Sequence, residues 1–130
     1  MRGAVIGGCM QPLNVVLYQG DAGTALTLVS SLSPHVRAVH MARTRDEIRP
    51  TIARHRAEVL VLDLETSCLG EVERLHHEFP KLSIVCTHRL ADEELWADAL
   101  QQGASDMCEP RRVDQVVASV LRERVHHAAA

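Results

Sequence analysis

The stretch Val59-Leu60-Val61-Leu62-Asp63-Leu64 determines the fold of this 130-residue chain, because four consecutive apolar residues lead into a single acid. A short, uninterrupted apolar run is typical of a strand buried on both faces of a parallel sheet. The polar turn Glu65-Thr66-Ser67 follows at once, so Asp63 is predicted to stand at the carboxyl end of that strand. Ligands and chemistry gather at this edge of open α/β sheets. Asp63 is therefore a candidate phosphoacceptor, metal ligand or base.

The length and composition are typical of one domain with an aliphatic core. The length suits a single domain, and the only aromatic residues are Tyr18, Phe79 and Trp96. The formal net charge is -3 without a basic run, which argues against nucleic-acid binding. The apolar runs are too short to span a bilayer, and the first ten residues lack a usable signal-peptide core. We expect a cytoplasmic protein with no membrane association.

The cysteines and histidines do not predict a metal centre. Cys9, Cys68, Cys86 and Cys108 show no CxxC pairing or zinc-ligand spacing, so we expect reduced thiols. The adjacent pairs His76-His77 and His126-His127 would point in different directions on a helix.

Apolar runs alternate with helical patterns along the chain. The predicted strands are residues 13–18, 36–41, 58–62, 82–86 and 105–108. The predicted helices are residues 25–32, 44–53, 72–79, 91–102 and 112–125, with Gly103 as a helix stop. This alternation predicts a parallel sheet covered by helices on both faces. We predict a flexible N-terminal tail over residues 1–11, one domain over 12–126 and a C-terminal tail over 127–130.

Two local sequence features concern the start of the second predicted helix. Thr44 and Glu47 fit a capping box, in which a hydroxyl and a carboxylate satisfy opposite ends of the first turn. Pro50 falls about one turn further on, so the helix either bends there or starts late.

The order of these parts resembles the receiver domain of bacterial two-component response regulators, which has a chemotaxis-regulator-like, flavodoxin-like fold. The resemblance covers residues 13–125 and depends on the run ending in Asp63, on Thr87, on Gly103-Ala104-Ser105-Asp106 and on Pro110. It implies a three-layer αβα sandwich with a five-stranded parallel sheet in the order 2-1-3-4-5.

The resemblance also implies a phosphorylation site. In the family, an acidic pair after strand one holds Mg²⁺ beside the phosphoacceptor, whose position here is Asp63. A lysine before the proline pairs with the phosphate, and a Thr or Ser after strand four signals to an aromatic residue in strand five. Thr87 and Met107 occupy these two switch positions.

This sequence departs from that pattern around the acceptor. Gln19 and Gly20 stand at the acidic pair, and Glu109 stands at the lysine. Asp21 and Asp63 remain as candidate Mg²⁺ ligands. Like charges a few ångströms apart cost about 1–4 kcal/mol, and each 1.36 kcal/mol is about tenfold in rate. The resemblance therefore implies an atypical pseudo-receiver in which Asp63 is phosphorylated weakly or not at all.

Each candidate residue also has an explanation in which it serves only the structure. Asp63 is better explained as a strand-end acid that caps the neighbouring turn, Thr87 as a residue that favours strands, and Asp21 as a helix N-cap. Glu109 is a candidate ion-pair partner of Arg111 or Arg112. Trp96 is either an interface anchor on the fourth helix or a cover for the edge of the core.

We expect this module to act in bacterial signal transduction through protein–protein interaction, without enzymatic activity or a required cofactor. The family's interaction face is formed by helix four, strand five and helix five. The partners implied are a histidine kinase, an output protein or a second copy of the chain. One alternative is a phosphorylatable receiver of a phosphorelay, which uses Asp63 with a weakened Mg²⁺ site. A second is a small-molecule or nucleotide binder, although residues 19–24 lack a GxGxxG or P-loop pattern.

Overall fold

The computed structural model of the chain describes residues 13–129, so the predicted tail over residues 1–11 lies outside the described residues. Within this range five strands form one sheet in the order β2-β1-β3-β4-β5. The strands are β1 (Asn14–Tyr18), β2 (Ala38–Met41), β3 (Val59–Asp63), β4 (Ser83–Thr87) and β5 (Asp106–Cys108). All neighbouring strands are parallel. The predicted sheet and its strand order are confirmed.

Helices cover both faces of this sheet. They are α1 (Ala22–Leu32), α2 (Arg45–His55), α3 (Leu69–Glu78), α4 (Glu93–Gln101) and α5 (Val113–Ala129), and a short 3-10 turn, Ser33–His35, follows α1. Buried residues of α1 and α5 form one hydrophobic core, and buried residues of α2, α3 and α4 form the other. The three-layer αβα arrangement is therefore as predicted.

The central strand β3 supplies side chains to both cores. Leu60 and Leu62 pack beneath α2, α3 and α4, whereas Val59 and Val61 pack beneath α1 and α5. All five residues of β3 are buried. Because side chains alternate along a strand, a continuous apolar run is what a strand between two cores requires. Each buried aliphatic side chain contributes about 1.5–3 kcal/mol.

The predicted capping box at α2 is wrong. The Thr44 side chain makes no capping hydrogen bond. The Glu47 carboxylate reaches one residue further back and accepts a hydrogen bond from the Arg43 N–H at 2.8 Å. Because α2 begins at Arg45 and includes Pro50, it does not start late.

The helices begin and end within four residues of their predicted bounds. Gly103 adopts a φ of 113° just after α4, which confirms it as a helix stop. A Cβ atom there would lie 2.5 Å from His76 Cγ, so glycine is also needed for space. Helix α5 continues to Ala129, past the predicted end at residue 125, since alanine has the highest helix propensity. Among the described helices, none is both long and apolar enough to cross a bilayer.

Candidate functional site

The carboxyl ends of β1, β3 and β4 meet at one edge of the sheet. Asp63 is paired in register with Thr87, and Leu62 is paired with Tyr18. The turn that begins at Gln19 therefore arrives beside Asp63 and Thr87, as expected for parallel strands. A cleft of about 460 Å³ opens above this edge. Its lining residues are Gln19, Asp21, Thr24, Asp63, Glu65, Thr66, Arg89, Pro110 and Arg111.

The carboxylate of Asp63 is buried, and both of its oxygens accept hydrogen bonds from the chain itself. Asp63 is 6% exposed. Its Oδ1 accepts a hydrogen bond from the Glu65 N–H at 2.8 Å, and its Oδ2 accepts from the Gly20 N–H and from the Thr66 hydroxyl at 2.9 Å each. The structure thus shows Asp63 as a cap of the neighbouring turn, with an additional link to β1.

Gly20 permits this arrangement because of its small size. A Cβ atom at position 20 would lie 2.4 Å from Thr66 Cγ2 and 3.2 Å from Asp63 Oδ2. The turn after β1 and the loop after β3 therefore approach so closely that a side chain at position 20 would require a shift of Thr66. An acid at this position would displace Thr66 or the turn itself.

Gln19 also bonds within the chain. Its Nε2 donates a hydrogen bond to the Thr87 hydroxyl at 2.9 Å. Thr87 is 0% exposed, and its carbonyl accepts from the Leu64 N–H at 2.9 Å. The predicted switch hydroxyl is thus held by a neutral amide from the strand-one turn.

Asp21 caps α1. Its Oδ2 accepts hydrogen bonds from the Thr24 N–H and hydroxyl at 2.8 Å each. These two bonds, the backbone one first, lower the pKa of the Asp21 carboxyl. The helix N-cap interpretation of Asp21 is therefore confirmed.

These contacts do not fit a magnesium site. Magnesium requires carboxylate oxygens in near-octahedral geometry, whereas Asp63 and Asp21 direct theirs at the protein's own N–H and O–H groups. In the part of the chain that the structure describes, no group of three or more His, Cys, Asp or Glu side chains could hold a metal ion.

An ion pair that sequence reasoning missed ties two loops beside the cleft. Glu65, after β3, accepts hydrogen bonds from Arg89 Nε at 2.5 Å and from the Arg89 N–H at 3.1 Å. Burial acts to raise the pKa of Glu65, but the hydrogen bonds and charge of Arg89, with a contribution from His88, lower it overall. No local pattern in the sequence indicates this pairing across 24 residues.

Glu109 lies outside the Asp63 cleft. It lines a neighbouring pocket with Arg89, Leu90, Pro110 and Arg111. The Glu109 carboxylate pairs with Arg112 Nε at 3.1 Å, which confirms the predicted ion pair with that arginine. Pro110 and Arg111 of this loop line both the pocket and the cleft.

Helix α4 presents a tryptophan on its outer side. Leu95 and Ala99 face the core, while Trp96 is 46% exposed and Leu100 is 41% exposed. Trp96 is therefore exposed, as an interface anchor requires, and its role at an interface stays a prediction. Met107, at the aromatic switch position in β5, is buried against the core beneath α2, α3 and α4.

These features define the class of the protein as a five-stranded parallel α/β domain with the receiver fold of response regulators. No protein-family model matches the chain, and no curated protein matches it by sequence.

The chain is similar in structure to solved response-regulator structures. A response regulator from Thermotoga maritima is 20% identical, with a TM-score of 0.79, and the match covers 90% of this chain and 99% of that one. An orphan response regulator of H. pylori is 14% identical, with a TM-score of 0.75 and coverages of 85% and 95%. CheY of Borrelia burgdorferi, in a complex with CheX, BeF3 and Mg, is 17% identical, with a TM-score of 0.76 and coverages of 86% and 89%.

Proposed function

We propose that this chain is an atypical receiver module of bacterial signal transduction, which acts through protein contacts with little or no aspartyl phosphorylation. The observation that carries the proposal is the engagement of both Asp63 oxygens by Gly20, Glu65 and Thr66. A phosphoryl group would need one of these oxygens as the attacking atom. Either oxygen is already held by a hydrogen bond within the chain, which makes it a weaker nucleophile than a free carboxylate oxygen.

The electrostatics around Asp63 support the same conclusion. Phosphoryl transfer relies mainly on positioning and on cations that neutralise the phosphoryl oxygens. Asp21 and Glu65 line the cleft with Asp63, and Arg89 is already paired with Glu65. The lysine position before Pro110 holds Glu109. Three acids therefore line the cleft against one arginine that is not already paired among the described residues, Arg111, so the site supplies little of the positive charge that the reaction needs.

The interaction surface of this proposal is the face formed by α4, β5 and α5. Exposed Trp96 and Leu100 lie on it four residues apart, where side chains are neighbours on a helix. Aromatic anchors of this kind dominate protein interfaces. The partners proposed are a histidine kinase, an output protein or a second copy, in the cytoplasm, with no enzymatic activity, nucleic acid or membrane involved.

A phosphorylatable receiver is the second candidate, because Arg111 lines the Asp63 cleft without an ion pair among the described residues. Its guanidinium is a suitable partner for phosphoryl oxygens. In this case Asp63 and Asp21 would have to give up hydrogen bonds within the chain to hold Mg²⁺ as a cofactor, and would hold it weakly.

Beryllofluoride and acetyl phosphate, each with millimolar Mg²⁺, separate the two candidates. We expect no change in the amide NMR signals around Asp63 and Thr87 and no phosphoryl adduct by intact mass. The Glu109→Lys variant places a positive charge before Pro110 and is the matched variant. Asp63→Asn is the negative control. A wild-type response that Asp63→Asn abolishes would establish the second candidate instead.

A further inference from the structure

A groove of about 480 Å³ lies at the amino edge of the sheet, at the other end of β3 from Asp63. Two loops form it: residues 56–58 lead from α2 into β3, and residues 79–82 lead from α3 into β4. Because a strand rises about 3.3 Å per residue, the groove and the Asp63 cleft lie roughly 15–20 Å apart. We call this site the amino-edge groove.

The surface of the amino-edge groove is mostly apolar. Ala57 and Phe79 are partly buried against the core beneath α2, α3 and α4, and Leu82 is 5% exposed. Pro80 completes this apolar lining. Cavities of about 300–1,000 Å³ with mainly apolar walls and a few polar groups are typical of small-molecule sites. The amino-edge groove has this size and character.

Backbone hydrogen bonds fix both loops of the groove. The Phe79 carbonyl accepts from the Leu82 N–H at 3.0 Å, which closes a turn with Pro80 at its second position, where proline is favoured. The Glu58 carbonyl accepts from the Ser83 N–H at 2.9 Å and so joins the two loops. The groove therefore has a defined shape.

The two cations of the groove are unpaired, whereas its two acids are occupied. Glu78 already forms an ion pair, and the Glu58 carboxylate accepts from the first backbone N–H of β1 at 2.7 Å. Arg56 and Lys81 are exposed, and neither forms an ion pair among the described side chains. The groove therefore presents positive charge beside its apolar surface.

Arg56 adopts an unusual backbone conformation at this site. Its φ and ψ are both 50°, at the end of α2, and it is the only described residue other than glycine with a positive φ. Glycine adopts this left-handed conformation freely and is the usual residue at a helix end, whereas other residues are strained there. Strained residues of this kind are common at ligand-binding positions. The strain here places a guanidinium group beside the groove.

We propose that the amino-edge groove binds a small organic anion with an apolar body, of the chemical class of the medium-chain carboxylates. The apolar body contacts Ala57, Phe79 and Leu82. The carboxylate pairs with Arg56 and Lys81, because guanidinium and ammonium groups make strong charge-assisted hydrogen bonds to carboxylates. This site goes beyond the proposed function, since it involves neither Asp63 nor α4.

Size and charge favour this ligand over a protein segment. Protein interfaces usually involve about 20–30 residues a side, whereas four apolar residues line this groove. Two copies that met groove to groove would bring Arg56 and Lys81 of both together, and like charges repel. Residues 1–12, which lie outside the described part of the chain, contain no acid that could pair with these cations.

Three matched ligands test the proposal. Octanoate, octan-1-ol and octylammonium share one apolar chain and carry a negative, no and a positive charge. In two-dimensional NMR titrations of the full chain, we expect octanoate to shift the amide signals of residues 56–58, 79, 81 and 82 saturably. Octan-1-ol should bind about tenfold more weakly, because it lacks the charge-assisted hydrogen bonds, and octylammonium more weakly still.

Arg56→Gly separates binding from folding. It removes the guanidinium group and introduces the residue that adopts the left-handed conformation freely, so Tm should rise while octanoate binding weakens severalfold. Lys81→Gln should weaken octanoate binding without lowering Tm. In both variants the affinity for octan-1-ol should change less than the affinity for octanoate. Arg54→Gln removes an exposed, unpaired charge of α2 outside the groove and is the matched control.

The proposal is overturned if octanoate at millimolar concentration leaves the signals of both loops unchanged. Equal affinities for the three ligands also contradict it, since a groove that binds only through apolar contact does not distinguish their charges. The same holds for Arg56→Gly and Lys81→Gln variants that both bind octanoate as tightly as Arg54→Gln does.

Discussion

Replacing Asp63 by alanine should destabilise this protein strongly, because the carboxylate serves the fold. The substitution removes three hydrogen bonds of 2.8–2.9 Å and leaves the Gly20 N–H, the Glu65 N–H and the Thr66 hydroxyl without their acceptor. A hydrogen bond to a charged group contributes about 1.5–3 kcal/mol, and a neutral one about 1 kcal/mol. Three bonds to a charged group at the low end of that range sum to about 4.5 kcal/mol, so we expect a loss of about 4–5 kcal/mol in the free energy of unfolding and a Tm lower by about 10–20 °C.

Thermal and urea denaturation followed by far-UV circular dichroism measure this loss. Asp63→Asn is the matched variant, since its amide keeps the volume and one acceptor oxygen, and we expect about half the loss. Asp21→Ala removes the carboxylate that caps α1 at the exposed rim of the cleft, and we expect a smaller effect. A Tm for Asp63→Ala within about 2 °C of wild type would refute the structural role, since each kcal/mol moves Tm by several degrees.

Three further predictions concern other parts of the molecule. Gly20→Ala should cost about 1–3 kcal/mol in urea denaturation through its clash with Thr66, and less in a Thr66→Ser background that lacks the methyl group; equal losses in both backgrounds would contradict the clash. Trp96→Ala should change stability by less than about 1 kcal/mol in thermal melts and weaken association in sedimentation, since Trp96 is exposed; unchanged association would argue against an interface there. Burial, followed by the charge of His55, lowers the pKa of His40 below 6.5, so the stability it contributes is present above pH 6.5 and is lost as pH falls. Melts from pH 8 to 5 should show a decline that His40→Gln reduces, and an unchanged slope would exclude His40 as its source.

The sheet was predictable because residues that are close in sequence indicate each strand. The run from Val59 to Leu62 is apolar at every position, and only a strand between two cores requires that. The buried side of α4 was also predictable, because Leu95 and Ala99 recur at helical spacing, whereas the same pattern left the exposure of Trp96 open. In both cases the prediction depends only on residues that are close in sequence.

The contacts of the site were not predictable, because the sheet register creates them. Gly20 and Asp63 are 43 residues apart, and Gln19 and Thr87 are 68 residues apart. The sequence indicated Asp63 as a cap of its own turn, but not the third hydrogen bond from the strand-one turn. The capping box at Thr44 failed although it is local, since the Glu47 carboxylate had a second N–H within reach.

The position of Trp96 has a spectroscopic consequence. It is the only tryptophan in the chain, and it stands on the outer side of α4. Its emission therefore reports how much water reaches this one surface. Unfolding changes the solvent exposure of Trp96 less than it would change that of a buried indole. Any partner that covers α4 will shift this emission to shorter wavelength, so the protein carries an intrinsic fluorophore with which docking on that face can be titrated without a label.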